Sequence, residues 1–255
     1  MRLGIISDIH GNLVALESVL AELDQMSVER LICLGDVVGY GPDAGECLDL
    51  LQACDAITIA GNHEEALCRP EVARRFNGIA RVSIEYARRQ FITERPDLLH
   101  VVAELPGMAY LCEKIMCVHD SPIPGGSGYI QDGHVAADAF AGVDTAICLI
   151  GHTHVPVAFR GPAYQGMVPN PSQVETFRPE HTCEIHLDTD ARWIINPGSV
   201  GQPRDGDVRA ACGILDLDAM RFQWVRVAYD VARAQERTEA AGLPSETSRR
   251  LSIGA

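Results

Sequence analysis

The chain has 255 residues, of which 47% are apolar and 22% are charged, so we expect a packed globular core and exclude bulk disorder. The formal net charge of −14 argues against a general nucleic-acid binder, because clustered Lys and Arg are needed to hold phosphate backbones. The same charge suits either an acidic soluble surface or an enzyme that holds cations.

The cysteine pattern favours a reducing compartment. Nine cysteines are scattered singly without a C-x-x-C pair, and most lie in apolar runs such as 31–34 and 146–149. Buried free cysteine behaves as a small hydrophobe, so we predict reduced core residues and a cytoplasmic location. Too few apolar residues precede Asp8 for a signal peptide, and no stretch approaches the ~20 that span a bilayer. A membrane partner is therefore not expected.

The first sixty residues alternate between apolar runs and helical periodicity. The runs 3–7, 30–34 and 57–60 are typical of buried strands. Between them lie a helix that begins after Asn12 and a shorter helix around 47–51. This rhythm predicts an α/β fold with parallel strand pairing.

The middle of the chain predicts a long helical region and then shorter elements. Residues 64–90 have helical periodicity, and Pro96 is expected to stop or restart the helix. The remaining elements of this part, in chain order, are strands at 108–112 and 115–118, a loop at 121–128, a short helix at 135–140 and a strand at 146–150.

From residue 155 onward, short alternating strands predict a second, mostly antiparallel sheet. The stretch 161–181 is predicted to be an irregular loop, either a functional lid or a variable insertion. A helix is expected at 231–241, followed by a loose tail at 242–255. The simplest organisation is a single domain over 1–241.

Polar side chains follow five of the predicted strands, at the point where each strand ends. Ligands bind at the carboxyl ends of strands in open α/β sheets, so these groups should converge. In extended chain, residues i and i+2 point the same way. The seven candidate metal ligands are Asp8, His10, Asp36, Asn62, His119, His152 and His154.

The mixed oxygen and nitrogen donors suit two transition metal ions. Carboxylates, an amide oxygen and imidazoles are ligands for Mn, Fe, Zn, Co or Ni, among which we favour Mn. Seven ligands exceed the needs of one tetrahedral ion but fit two ions that share a bridging carboxylate. Such pairs clamp the attacking and leaving oxygens of a phosphoryl group.

The motifs D-x-H, G-D-x-x-G, G-N-H-E, a strand-end His and G-H-T-H, in this order, resemble the calcineurin-like metallophosphoesterase superfamily. The resemblance covers residues 3–154, and N-P-G-S at 196–199 extends it to about 205. It includes bacterial YfcE-like and diadenosine tetraphosphatase-related phosphoesterases. The implied fold is two mixed β-sheets packed face to face with helices outside.

The resemblance also implies roles. The two ions would be held by separate ligand sets: Asp8, His10 and His154 for the first, and Asn62, His119 and His152 for the second. Asp36 would bridge both ions, and a bridging hydroxide would be the nucleophile. His63 would act as general acid to the leaving oxygen or as a charge stabiliser. Asp36, Asn62 and His63 are thus the expected catalytic residues.

Two residues are candidate phosphate contacts with an equally simple alternative. Asn12 either contacts phosphate or caps its helix. Arg204 either clamps phosphate or pairs with a nearby carboxylate, Asp205 or Asp207.

Three other side chains are expected near the site. Glu64 either supports the site or is there because a carboxylate at a helix start interacts favourably with the positive end of the helix dipole. Tyr40 and Tyr129 are candidate pocket residues. Asp120 follows His119 where the family commonly has Gly, so a carboxylate can crowd the site.

The predicted function is hydrolysis of a small phosphodiester or phosphomonoester. Three alternatives stay open: a non-catalytic scaffold that binds protein, a serine/threonine protein phosphatase, and a nuclease. The acidic balance weighs against the nuclease.

Overall fold

The computed structural model of the protein describes residues 1–126, 128–163 and 168–255. The strands in these ranges are β1 (Arg2–Ile6), β2 (Arg30–Cys33), β3 (Ile57–Thr58), β4 (Met108–Leu111), β5 (Ile115–Val118), β6 (Ile147–Leu149), β7 (Val157–Pro162), β8 (Glu175–Phe177), β9 (Cys183–His186), β10 (Ala191–Asn196), β11 (Ala210–Asp216) and β12 (Arg221–Val227). The helices are α1 (Leu13–Gln25), α2 (Ala44–Ala53), α3 (Asn62–Cys68), α4 (Pro70–Ala73), α5 (Gly78–Thr93), α6 (Pro96–Glu104), α7 (Gly133–Ala139), α8 (Val231–Ala240) and α9 (Ser245–Leu251).

The strands form two mixed six-stranded sheets. The first has the order β3-β2-β1-β11-β12-β9, and the second has the order β4-β5-β6-β10-β7-β8. In the first sheet, β1 lies between a parallel and an antiparallel neighbour, with Ile5 opposite Ile32 of β2 and Gly213 of β11. In the second, β6 runs parallel to both β5 and β10.

The sheets pack face to face over an apolar core. Alternate residues of β1, β2, β11 and β12 meet those of β5, β6, β7 and β10, with Trp193 and Trp224 fully buried between them. The outer face of the first sheet packs on α1, α2, α5 and α6, and the outer face of the second packs on α7. Each large apolar side chain buried in this way contributes roughly 1.5–3 kcal/mol. The predicted α/β class with two packed mixed sheets is confirmed.

The helix predicted over 64–90 is wrong as one element. It is divided into α3, α4 and α5, because Pro70 has no N–H for the helix ladder and Asn77 starts a new helix. The Asn77 Oδ1 atom accepts the backbone N–H of Ala80 at 3.0 Å, which is the bond of an N-cap residue.

The strands after residue 155 do not form a sheet of their own. Strands β9, β11 and β12 join the first sheet, whereas β7, β8 and β10 join the second. The predicted loop at 161–181 is also wrong in part, because β8 lies inside it and pairs with β7. Phe177 of β8 packs on Trp193, with ring centroids 5.7 Å apart, and this apolar contact holds the strand in place. Two parts of the predicted loops, residues 164–167 and Ser127, lie outside the described residues.

The segment predicted as a loose tail contains a helix. α9 packs on α8, and its Leu251 is buried against Val14 and Ala234. Within the described ranges, no helix is long and apolar enough to cross a membrane. All nine cysteines are free, and five of them are buried.

Candidate active site

The predicted ligands lie where strands end, in strained backbone. Five of them have a positive φ of between 49° and 65°: Asp8, His10, Asp36, His152 and His154. This left-handed conformation costs an L-residue roughly 1–2 kcal/mol, because Cβ approaches the following carbonyl oxygen. Strained positions of this kind gather at functional sites.

The first group of ligand atoms is buried and tightly packed. Donor atoms of Asp8, His10, Asp36 and His154 all lie within 4.8 Å of one another. The Nε2 atoms of His10 and His154 are 3.1 Å apart, and the Nε2 atom of His154 is 3.2 Å from Oδ1 of Asp8. His10 Nε2 also lies 3.6 Å from Oδ2 of Asp36.

The hydrogen bonds of these histidines make the group fit a cation. Nδ1 of His10 faces the carbonyl oxygen of Val38 at 3.0 Å, and Nδ1 of His154 faces that of Gln202 at 2.6 Å. A carbonyl only accepts, so each Nδ1 carries a proton and each ring turns its Nε2 atom toward the other. Metal-ligating histidines typically donate from their other ring nitrogen in this way, so the two Nε2 atoms, 3.1 Å apart, are oriented to bind a cation.

The second group shares Asp36 with the first. Donor atoms of Asp36, His119 and His152 also lie within 4.8 Å of one another. Nε2 of His119 is 3.3 Å from Oδ2 of Asp36, and Oδ1 of Asn62 is 3.2 Å from His119 and 3.0 Å from Nδ1 of His152. The geometry thus brings together all seven predicted ligands, with one carboxylate common to both groups.

Electrostatics at the site leave most of the imidazoles neutral. Burial lowers the pKa of His10 well below its usual range and lowers that of His152 too. His119 is different, because the Asp36 and Asp8 carboxylates outweigh burial and raise its pKa to about 10. Burial opposes the ionisation of Asp36, but the nearby histidines hold the pKa of its carboxyl well below the usual value. The carboxylates thus attract positive charge, as a metal site requires.

Glu64 holds the loop that carries Asp36. Its carboxylate accepts the backbone N–H groups of Asp36 at 2.8 Å, Val38 at 3.0 Å and Gly61 at 2.7 Å. Burial and the Asp36 charge raise the pKa of Glu64 to about 7, while the N–H groups of Val38 and Gly61 favour its ionised form. Glu64 therefore supports the site.

Gly61 permits the close approach of this loop. A Cβ at position 61 would lie 2.1 Å from Oδ1 of Asp36, closer than real Cβ atoms come. Asp36 Oδ1 accepts the backbone N–H of His63 at 3.0 Å, and its Oδ2 atom faces the histidines.

His63 lies beside the ligand groups and lines a cavity of about 280 Å³. Its Nε2 atom is 4.0 Å from Oδ2 of Asp36, and its ring packs edge-on against Phe76 with centroids 5.1 Å apart. Burial lowers the pKa of His63 to about 4, so the ring is neutral at pH 7. A role as acid therefore needs a nearby negative charge, such as a bound phosphate, to raise that pKa.

The structure separates the two predicted phosphate contacts. Arg204 lines the cavity, with its guanidinium 5.8 Å from the Tyr40 ring centroid. The carboxylate partners proposed for it are engaged elsewhere, since Asp205 pairs with Arg226 and Asp207 with Arg209.

Asn12, in contrast, is absent from the residues that line this cavity. Its Oδ1 atom accepts the backbone N–H of Ala15 at 3.1 Å, and its amide donates to the carbonyl oxygen of Gly201 at 2.9 Å. Its side chain thus caps α1 and anchors a loop. Tyr40 and Tyr129 both line the cavity, and Tyr129 stacks on His152 with centroids 4.6 Å apart.

Three supporting residues come from the end of β10 and the segment that follows it. The Asn196 amide donates to the carbonyl oxygen of Gly151 at 2.6 Å, and the Ser199 hydroxyl donates to that of Asp8 at 2.8 Å. Gln202 accepts from Nδ1 of His154 through its backbone carbonyl. The N-P-G-S pattern indicated this segment, but no sequence signal assigned these bonds. Arg75, Phe76 and Asn77 also line the cavity and were hidden by the predicted continuous helix.

Comparison with known proteins agrees with this geometry. A family model, the calcineurin-like phosphoesterase superfamily domain, matches residues 1–220. A metallophosphoesterase from Sphaerobacter thermophilus is 38% identical in sequence, and its crystal structure superposes with a TM-score of 0.84 and full coverage of both chains. An uncharacterized protein of Methanocaldococcus jannaschii is 30% identical over 253 residues, which cover 99% of this chain and 98% of the relative. Escherichia coli phosphodiesterase YfcE is 27% identical over 222 residues, or 86% of this chain and 90% of YfcE.

Proposed function

We propose that this chain, which belongs to the calcineurin-like phosphoesterase superfamily, hydrolyses a small phosphodiester or phosphomonoester with the help of two metal ions. The observation that carries the proposal is the pair of buried donor groups that have Asp36 in common. Two donor groups with one shared carboxylate are the arrangement that a dinuclear centre needs. A cavity of about 280 Å³ beside them suits a small substrate.

The ligand assignment follows the donor groups. Asp8, His10 and His154 would hold the first ion, Asn62, His119 and His152 the second, and Asp36 both. When bound, such ions supply Lewis acidity and lower the pKa of coordinated water toward neutrality. The mixed carboxylate and imidazole donors favour Mn²⁺, with Fe, Zn, Co and Ni as the other fitting ions.

The chain's own residues would handle the proton and the phosphate charge. His63 borders the cavity and would give a proton to the leaving oxygen once the phosphate has raised its pKa. Arg204 has no carboxylate partner within 4.0 Å among the described residues. Its guanidinium can therefore donate two hydrogen bonds to a pair of phosphoryl oxygens. These roles match the two demands of hydrolysis, protonation of the leaving group and stabilisation of developing charge.

Two alternatives make different demands on the same site. A non-catalytic scaffold does not need His63 or a complete ligand set, yet both are present around one cavity. A serine/threonine protein phosphatase needs room for a peptide loop, whereas this cavity is small. YfcE is named a phosphodiesterase, which favours a diester here. The free cysteines fit a cytoplasmic location.

The test is bound-metal content by elemental analysis, together with hydrolysis of a generic aryl phosphodiester and monoester with added Mn²⁺. We expect about two ions per chain and Mn²⁺-stimulated turnover. A phosphopeptide in the same assay separates the protein phosphatase alternative. Two bound ions without turnover of any ester would favour the scaffold, and a chain that binds no metal would refute the site assignment.

A further inference from the structure

Arginine carries almost all the positive charge of this acidic chain, and several guanidinium groups around the fold pair with carboxylates. Arg95 binds Asp49 through two hydrogen bonds of 2.8 Å, and Arg237 binds Asp43 through two of 2.7 Å. Two arginines that have no carboxylate within 4.0 Å among the described residues, Arg75 and Arg204, both line the active-site cavity. Arg204 donates instead to Oε1 of Gln202 at 2.9 Å. Because two guanidinium groups line it beside the Asp36 carboxylate, this cavity can attract an anion even in a chain of net charge −14.

The two arginines come from separate parts of the site. The backbone N–H of Arg204 donates to the carbonyl oxygen of His154, so this arginine stands next to the ligand groups. Arg75 lies between α4 and α5, directly before Phe76, whose ring packs on His63. His63 is the residue that we expect to protonate the leaving oxygen. Arg75, Phe76 and His63 line the same cavity, so we assign Arg75 to the leaving-group side.

We propose that Arg75 binds a second anionic group, carried by the leaving group of the substrate. The inference rests on the proposed phosphoesterase function and narrows its substrate class to esters whose alcohol half is itself negatively charged. The Arg75 side chain is exposed and has no hydrogen bond within the described residues, so its fork is available to a carboxylate or a phosphate. Without such a partner, the acidic chain would repel a doubly charged substrate.

The experiment compares esters that share one scissile bond. The first is 4-nitrophenyl phosphate with a carboxylate at ring position 3, the second is its neutral methyl ester, and the third has a phosphonate in place of the carboxylate. Wild type, Arg75→Gln, Arg75→Lys and Arg74→Gln are assayed with Mn²⁺. Arg74 is the matched control, because it is the exposed neighbour of Arg75 and is absent from the cavity lining.

We expect Arg75→Gln to lower kcat/KM for the carboxylated ester about tenfold, the scale of a hydrogen bond to a charged group, and to leave the methyl ester within about twofold. Arg75→Lys should retain part of the preference, since it keeps the charge without the fork. A larger effect on the phosphonate than on the carboxylate would identify phosphate as the preferred second group.

Equal losses on the charged and neutral esters, or the same losses in Arg74→Gln, would overturn the assignment. If wild type cleaves none of the three monoesters and does not cleave the generic aryl phosphodiester either, the phosphoesterase function fails instead. The role of Arg75 is then tested by calorimetry, which measures the affinity of wild type and of Arg75→Gln for the uncleaved carboxylated ester. Equal affinity in wild type and Arg75→Gln would overturn the proposal, whereas weaker binding in the variant would support it.

Discussion

The cavity has two walls that differ in how they are built. One wall, which we call the ligand wall, is formed by the predicted metal ligands. It is fixed in the core, and Asp8, His10 and Asp36 are each no more than 1% exposed. The outer wall carries Arg75 and Tyr129, both exposed, on segments between regular elements, and its Tyr129 stacks on the ligand His152. The ligand wall is held by strand ends and buried hydrogen bonds, so it can keep strained backbone in place. The other wall can change its side chains at little cost to folding, which makes it the place where substrate preference varies.

The largest effect on activity is expected from a change of Asp36, the carboxylate that both ligand groups share. Asp36→Asn should reduce bound metal and lower kcat/KM by more than about 10²-fold, because residues that merely support a ligand already cost 10–100-fold. Elemental analysis and the aryl diester assay measure both effects. Asp188→Asn, at a carboxylate bound to Arg160 away from the cavity, is the control and should behave as wild type. Full metal content in Asp36→Asn would contradict the bridging assignment.

His63 tests whether the ligand wall is catalytic as well as metal-binding. His63→Ala should lower kcat by about 10²–10⁴-fold, the contribution of acid–base catalysis, with metal content unchanged. A leaving group of low pKa needs no proton, so 4-nitrophenyl esters should lose less activity than alkyl esters. His134→Ala, at an exposed position, is the control. Unchanged turnover of alkyl esters would show that His63 is not the acid.

Glu64 tests how far the ligand wall depends on its supporting hydrogen bonds. Glu64→Gln replaces an acceptor of three backbone N–H groups by an amide that accepts through one oxygen only. We expect a loss of about 1–3 kcal/mol in the free energy of unfolding and weaker Mn²⁺ binding by about 10-fold or more. Urea unfolding and metal titration measure these changes. Glu65→Gln, at an exposed residue in the same helix, should change neither.

Alkylation of the cysteines is expected to have the smallest effect on activity. Burial raises the pKa of Cys117 and Cys212 to about 12, so these thiols stay protonated at pH 8 and should resist iodoacetamide. The exposed Cys54 and Cys112 should react in the native protein, with activity changed by less than about twofold. Mass spectrometry of peptides gives the labelled positions. Rapid labelling of Cys117 without unfolding would show that the inter-sheet core opens.

The ligand wall could be predicted from the sequence because its chemistry follows directly after apolar runs. Asp8 and His152 each come after a buried strand, and strand ends meet at one edge whatever the details of packing. The outer wall could not be predicted in this way. Arg75 and Asn77 fall within apparent helical periodicity, and the Asn77 cap that interrupts it competes with the apolar pattern on both sides.

The local sequence pattern also could not predict which of the two sheets each strand joins. Alternation predicted that β11 and β10 are strands, but the same alternation suits either sheet. Their places depend on partners far away in the chain, such as β1 for β11. Asn12 shows the same limit on a smaller scale, because only the position of Gly201 reveals where its amide donates.

The place of β1 has a consequence for synthesis on the ribosome. Its antiparallel neighbour β11 begins about two hundred residues later, at Ala210. One edge of β1 therefore emerges without its native partner and stays unpaired until β11 has been synthesised. An unpaired apolar edge is a hazard for association between nascent chains. We expect this protein to engage chaperones early and to complete its first sheet only once β11 and β12 have emerged.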